Sequence, residues 1–259
     1  MLRRFRVLAL LVCLALSAVV AVPTWAACAL GLDESFSRSP EGEESENSVQ
    51  EYVACKDHPS ILHASIVAVA SSQANVHAGQ DENYDLAIAL KYAPHGKVIA
   101  ESIFPAELPN GGGPRLTSIT LDTANYLLAP QLRAFGVRAK LDMRFTFSEE
   151  LNLFLVKGKK IVKVLSNAPM HIYFSNRWPE CREQTREAQR VAVLDKAKSN
   201  GWYDILIQEK LIDSEGKVDA SGQCQMVPTA TATKEYRLKF DGKAYVIPNE
   251  MQHFDCRVC

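Results

Sequence analysis

From Ser60 onward the chain follows a largely two-residue rhythm of apolar and polar positions. The clearest stretch is FGVRAKLDMRFT. There Phe135, Val137, Ala139, Leu141, Met143 and Phe145 alternate with Gly136, Arg138, Lys140, Asp142, Arg144 and Thr146. Side chains alternate across a strand, so this order gives one apolar and one water-facing side; a helix would spread the charges round its circumference. In YDLAIALKY, the residues Tyr84, Leu86, Ile88, Leu90 and Tyr92 share a face. Pro94-His95-Gly96 supplies turn chemistry, and KVIAESIF can return as the partner strand.

LNLFLV and IVKVL flank Lys157-Gly158-Lys159-Lys160 and predict a second hairpin. WYDILIQ is a strand opened by Asn200-Gly201, and KEYRLKF and KAYVIP are joined by Asp241-Gly242. Two stretches stay open. LDTANYLLAPQL reads as a short helix or an irregular crossing, and residues 181–198 combine helix-forming composition with a place where a strand would be convenient. Short strands with regular turns predict an all-β fold, or one with one or two short helices, built as an antiparallel sandwich or open barrel. No fixed-period repeat is present.

The N-terminus departs from this rhythm. A basic head, Arg3-Arg4-Phe5-Arg6, precedes an uncharged run from Val7 to Val22, then Pro23 and the small residues Ala26 and Ala27. That order describes a secretory leader, residues 1–26, cut near Ala26; the run is short for a membrane span of roughly 20 residues. A lipid anchor at Cys28 is the minority reading, because Trp25 stands where lipoproteins carry a compact aliphatic residue. The expected product is periplasmic or secreted, touching the membrane only during export.

Removal of the leader takes three arginines and no acids, leaving 26 basic against 30 acidic residues, a net charge of −4. Nucleic-acid binding needs a basic excess, so none is expected. Residues 33–51 hold seven acids and one arginine, and residues 27–58 read as a flexible acidic lead-in to a single β-rich domain over 59–259. Cys28, Cys55, Cys181, Cys224, Cys256 and Cys259 remain, an even number that suits disulfides in an exported chain. We expect Cys28–Cys55 and Cys181–Cys224, with Cys256 and Cys259 joined to each other or exchanged with these.

Catalytic signatures are sparse. There is no Gly-x-Ser-x-Gly elbow, phosphate-binding loop or His-Glu-x-x-His. NGGGPR at 110–115 lacks a phosphate-binding lysine and reads as a loop. Asp81, Asn83 and Asp85 have the spacing of a calcium loop, but Leu86 and Tyr92 occupy its glycine and bidentate-glutamate positions. The histidines at 58, 63, 77, 95, 171 and 253 match no zinc spacing. Cys256-x-x-Cys259 ends the chain with no following helix, which favours structural over redox use. Glu149 and Glu150 point opposite ways if extended, so no carboxylate pair stands out, and no cofactor or metal is implied. Arg138, Lys140, Arg144, Lys234, Arg237 and Lys239 form a charged strand face, either solvated or open to an anionic partner.

GWYDILIQ followed by YRLKFDGKAYVIP, together with DLAIALKYAPHGKVIAESIF and LDTANYLLAPQLRAFGVR, resembles the β-rich periplasmic proteins grouped with the invertebrate-type lysozyme inhibitors. The resemblance spans roughly residues 80–250 and implies an exported β-sandwich. In that family a Ser-Gly-x-x-Tyr loop plugs the lysozyme cleft. Here Ser221-Gly222 lack the matching tyrosine, and no site residue is carried across. The expected function is non-enzymatic binding of another protein or an envelope component, inhibitor-like or immunity-like. The alternatives are an envelope hydrolase whose site is assembled from distant loops, and a purely structural envelope protein.

Overall fold

The computed structural model describes residues 51–72, 83–92, 96–109, 113–176 and 181–252. They form an all-β sheet of twelve strands with one short helix. In chain order these are β1 (Glu51–Asp57), β2 (Ala64–Ser72), β3 (Tyr84–Tyr92), β4 (Lys97–Leu108), β5 (Arg115–Ala129) and β6 (Leu132–Met143). Then follow β7 (Thr146–Lys157), β8 (Lys160–Asn176), β9 (Gln184–Ser199), β10 (Trp202–Val218), β11 (Cys224–Phe240), β12 (Tyr245–Val246) and α1 (Asn249–Gln252).

The sheet branches at β8. One branch runs β1-β2-β3-β4 and reaches β8 by a parallel contact, Glu101 opposite Lys160. A second runs β5-β6-β7-β8, and a third runs β8-β9-β10-β11-β12, every other pairing being antiparallel. The first two branches curl round a shared core of Ile66, Leu86, Ile88, Phe135, Val137 and Phe154 with their neighbours. Their free edges meet without a ladder, where the Tyr52 hydroxyl donates to the Leu116 carbonyl at 2.8 Å. The third branch packs a second core, including Leu153, Leu165, Ile207, Leu238 and Met251.

Strand β7 is the shared wall. Leu151 to Leu155 are all buried, Phe154 facing the first core and Leu151, Leu153 and Leu155 the second. A strand covered on both faces reads as a continuous apolar run instead of an alternation, which is why LNLFL lacks the pattern of β6. Asn152 within it is completely buried; its side-chain oxygen accepts the Asn167 N–H at 2.9 Å, filling a bulge in β8 where Asn167 has φ 49°.

The hairpins expected around Gly158 and Asn200-Gly201 are present, with Asn200 and Gly201 both at positive φ, as a tight primed turn requires. YDLAIALKY pairs with KVIAESIF as β3 and β4, although Pro94 and His95 lie outside the described residues. Both open stretches are strands. LDTANYLLA belongs to β5 and absorbs its irregularity as a register shift between Asp122 and Tyr126; residues 184–199 form β9. Asp241-Gly242 makes a wider turn than a two-residue hairpin, with the Asp241 carboxylate accepting the Lys243 and Ala244 N–H groups, and β12 pairs only at Tyr245 and Val246. Strand β1 occupies residues 51–57, within the segment that its acidic composition assigned to the lead-in, and runs antiparallel to β2. Residues 1–50, with the expected leader and Cys28, lie outside the described residues, as do Cys256 and Cys259.

Candidate interaction surface

Strands β9, β10 and β11 build an arm whose base belongs to the second core. Ile205 and Ile207 of β10 and Leu238 and Phe240 of β11 are buried there, and Trp202 stacks on Phe240 with ring centroids 4.0 Å apart. Farther out, charged residues replace the apolar ones on the inner face. Arg190 donates to Glu209 at 2.7 Å and to the Pro169 carbonyl at 2.7 Å, and the Tyr236 hydroxyl donates to the other Glu209 oxygen at 3.1 Å. Burial, with the Glu209 charge adding to it, holds the Tyr236 phenol above its usual pKa. Arg186 and Asp213 continue the series at 3.4 Å, and His171 meets Glu187 at 2.7 Å.

Beyond this charged base the arm stands clear of both cores, and every residue from Cys224 to Glu235 is exposed. Its tip is nevertheless held tightly. Asp219 Oδ1 accepts the Ser221 N–H at 2.8 Å, the Ser221 hydroxyl at 2.6 Å and the Gln223 N–H at 3.0 Å, while Oδ2 accepts the Gln225 amide at 2.6 Å. These donors, the Ser221 hydroxyl foremost, lower the Asp219 pKa. Gly222, at φ 79°, closes the turn in a conformation that favours glycine.

The expected Cys181–Cys224 disulfide is present and ties the start of β11 to the segment leading into β9. Gly216 donates its N–H to the Glu183 carbonyl at 2.7 Å beside it. On the arm's outer face a groove of about 700 Å³ runs past Val191, Gln208, Lys210, Thr233 and Glu235, with Val191 59% exposed.

The six cations of the expected binding face separate into two groups, with β7, β8, β9 and β10 between them in the sheet. Arg138 is enclosed: its guanidinium donates to Asp122 at 2.8 Å and to Glu149 at 2.6 Å, and Tyr126 donates to the same Asp122 oxygen at 2.9 Å. Lys140 follows on β6, and Arg144 lies in the β6–β7 turn, 5.1 Å above the Phe145 ring. Lys234, Arg237 and Lys239 are on β11, where Arg237 pairs with Asp195 and approaches buried Asp204 at 3.7 Å. Cys55 is disulfide-bonded, its partner lying outside the described residues.

One carboxylate neighbourhood escaped the sequence reading. Glu149 goes to Arg138, whereas burial, reinforced by the charge on Glu107, pushes Glu150 up to about 7. Lys163 grips Glu107 at 2.5 and 2.6 Å. A bulge in β4, with Ala106 at φ 49° and its N–H accepted by Asp85 at 2.7 Å, precedes Glu107. Asp85 is thereby used structurally, and Asp81 of the calcium-like spacing lies outside the described residues. The hint available in the chain was Pro105 interrupting a strand pattern, a known mark of a bulge. Nothing in it linked Glu107 to Glu150. Among the described residues no three His, Cys, Asp or Glu side chains gather as metal ligands, and no helix is long and apolar enough to cross a membrane. Compared with known proteins, the chain matches no family model, no curated protein and no solved structure.

Proposed function

We propose that the chain is an exported, non-enzymatic protein that binds another protein or a cell-envelope component through the tip of the β9–β11 arm. The observation that carries this reading is an exposed loop that is tied down from within: half-buried Asp219 takes four hydrogen bonds in it and a disulfide clamps its base. A preorganised loop on a fixed scaffold loses little conformational entropy when it binds, which is how inhibitors and immunity proteins gain affinity. The leader cut near Ala26 and the cysteine bridge agree with an oxidising, extracytoplasmic setting. The likeness to lysozyme inhibitors points the same way.

Affinity recovery from envelope extract, together with lysozyme inhibition assays, tests the reading. The mature chain should retain a partner or inhibit, and Ala220→Trp, a bulky addition at the exposed tip, should abolish this with an unchanged circular-dichroism spectrum. Recovery of no partner and inhibition of no lysozyme would overturn the reading, as would a partner indifferent to Ala220→Trp.

A hydrolase reading draws on Glu150, which burial and the Glu107 charge raise to about 7, within reach of general-acid work, beside Glu107 in its ion pair with Lys163. Cell-wall hydrolysis lost in Glu150→Gln would favour it over binding.

A further inference from the structure

The turn between β1 and β2 is fastened by an imidazole nitrogen. His58 Nδ1 accepts the backbone N–H of Ser60 at 3.2 Å and that of Ile61 at 3.1 Å. A ring nitrogen accepts only while it carries no proton, so this fastening requires neutral His58 with its hydrogen on Nε2. The rest of the turn is held lightly. The His58 N–H donates to the Ala64 carbonyl at 2.7 Å and the Ala64 N–H to the Ile61 carbonyl at 3.2 Å. Arg133 reaches the Pro59 carbonyl and the Ser60 hydroxyl only at 3.4 and 3.5 Å. Ile61 and Leu62 are exposed, and His63 sits at φ 59°, a conformation that side chains other than glycine adopt at a cost. Beneath the turn the His58 ring meets Phe135 edge-on, centroids 6.3 Å apart, and buried Phe135 stacks on Phe154 in the first core.

We infer that this turn is an acid-released latch over Phe135: a proton on His58 Nδ1 replaces the acceptor of two backbone N–H groups by a third donor, and residues 59–63 let go. No neighbouring group offsets the new charge. The charge packed against the ring is itself positive, the Arg133 guanidinium of β6, which also donates to the Thr123 carbonyl of β5 at 3.3 Å. Asp57 of β1 accepts the Ser65 hydroxyl of β2 at 3.2 Å, and His63, across the turn, packs edge-on against Tyr92 of β3. Among the described residues no carboxylate bonds the His58 ring. Burial and then the Arg133 charge hold the ring below its usual pKa, which keeps the latch shut at neutral pH and places its release in mild acid. Opening stops at the ladder that begins with Asp57 opposite Ser65, because backbone pairs do not titrate. The latch is no part of the β9–β11 arm, so it goes beyond the binding reading and does not depend on it.

NMR of the mature protein tests the inference through the ring nitrogens of His58 and the amide exchange of Ser60 and Ile61. Each exchange rate is divided by that of the same residue in an unfolded peptide, which removes the intrinsic effect of pH. Near pH 7.5 the ring should carry its hydrogen on Nε2 and both amides should be protected. Toward pH 5 their protection should fall in step with the ring's titration, about tenfold for each unit by which closing the latch lowers the ring's pKa. The Val137 amide in β6 should keep its protection throughout. His58→Asn should stay protected at both pH values, because its side-chain oxygen accepts N–H groups in the same kind of turn and does not titrate. His63→Gln should behave as the parent. A proton on Nδ1 near pH 7.5, protection indifferent to the ring's titration, or an equal loss in His58→Asn would each overturn the inference, as would abolition of the transition in His63→Gln. A simultaneous loss at Val137 would overturn it in favour of general acid unfolding.

Discussion

Arg190 and Glu209 meet inside the base of the arm, two guanidinium nitrogens against one carboxylate oxygen at 2.7 Å, with side chains only 2% and 4% exposed. Both are satisfied further, Arg190 by the Pro169 carbonyl and Glu209 by the Tyr236 hydroxyl, so the pair joins β8, β9, β10 and β11 at a single point. Removing one partner strands a buried charge. Glu209→Leu should therefore cost about 3–5 kcal/mol in urea unfolding, whereas the double change Arg190→Met with Glu209→Leu should recover most of that loss. Equal losses in the single and double variants would show that the pair itself supplies the stability.

The arm's second fastener is covalent. Cys181 and Cys224 are separated by 43 residues, and constraining a loop of that size in the unfolded chain is worth about 4 kcal/mol on the chain-entropy account, with typical measured values of 2–4. Replacing both with serine should lower stability by roughly that measured range and expose the tip to proteolysis. Peptide mapping without reductant should recover Cys181 and Cys224 in one linked pair and Cys55 in another. A free thiol at Cys181 would contradict the pairing.

How legible each strand is in the sequence depends on what its inner face meets. β6 reads plainly because its inward residues Phe135, Val137, Ala139 and Leu141 all enter the apolar first core. β9 does not, because its inward residues include Arg186 and Arg190, charges whose partners Asp213 and Glu209 sit on β10 and exist only once the strands are paired. Helix propensity in REAQRVAV is then overridden by tertiary pairing. The arm tip follows the same logic. Asp219, Ser221 and Gly222 read as ordinary turn residues, and their exposure emerges only because β10 and β11 outrun the core. Glu107 and Glu150 were hidden for a related reason, being brought together by strands distant in the chain.

Glu150 gives the protein a pH signature. Burial and the Glu107 charge raise it to about 7, against 4.5 for the free group. Between those values the folded chain keeps a proton that the unfolded chain has released, so this contribution is complete below about pH 4.5 and disappears as pH rises through about 7. His58 acts in the opposite sense: burial and then Arg133 lower its pKa, so its contribution is lost as pH falls below 6.5. The clean measurement is therefore a difference between variants. Glu150→Gln, which imitates the protonated side chain, should match the parent near pH 5 and exceed it by on the order of 2–3 kcal/mol near pH 8. A difference that stays constant across that interval would rule out titration of Glu150 in the folded state.

Gly216 marks where β10 passes the disulfide. A Cβ at this position would lie 2.7 Å from the Cys181 carbonyl oxygen and 3.1 Å from its carbon. These are backbone atoms that cannot swing aside as a side-chain end would, and the Gly216 N–H is already committed to Glu183. Gly216→Ala must therefore push the Cys181 segment away from β10, at a cost of about 1–3 kcal/mol as in other overpacked sites. The displacement falls at the clamp and not in either core. Its most sensitive readout is tryptic cleavage after Lys217, which should accelerate in Gly216→Ala. Gly113→Ala, with nothing within 4 Å of its added methyl, should cleave at the parental rate. Cleavage after Lys217 at equal rates in both variants would show that the Cys181 segment yields freely and that the clamp does not set the rigidity of the tip.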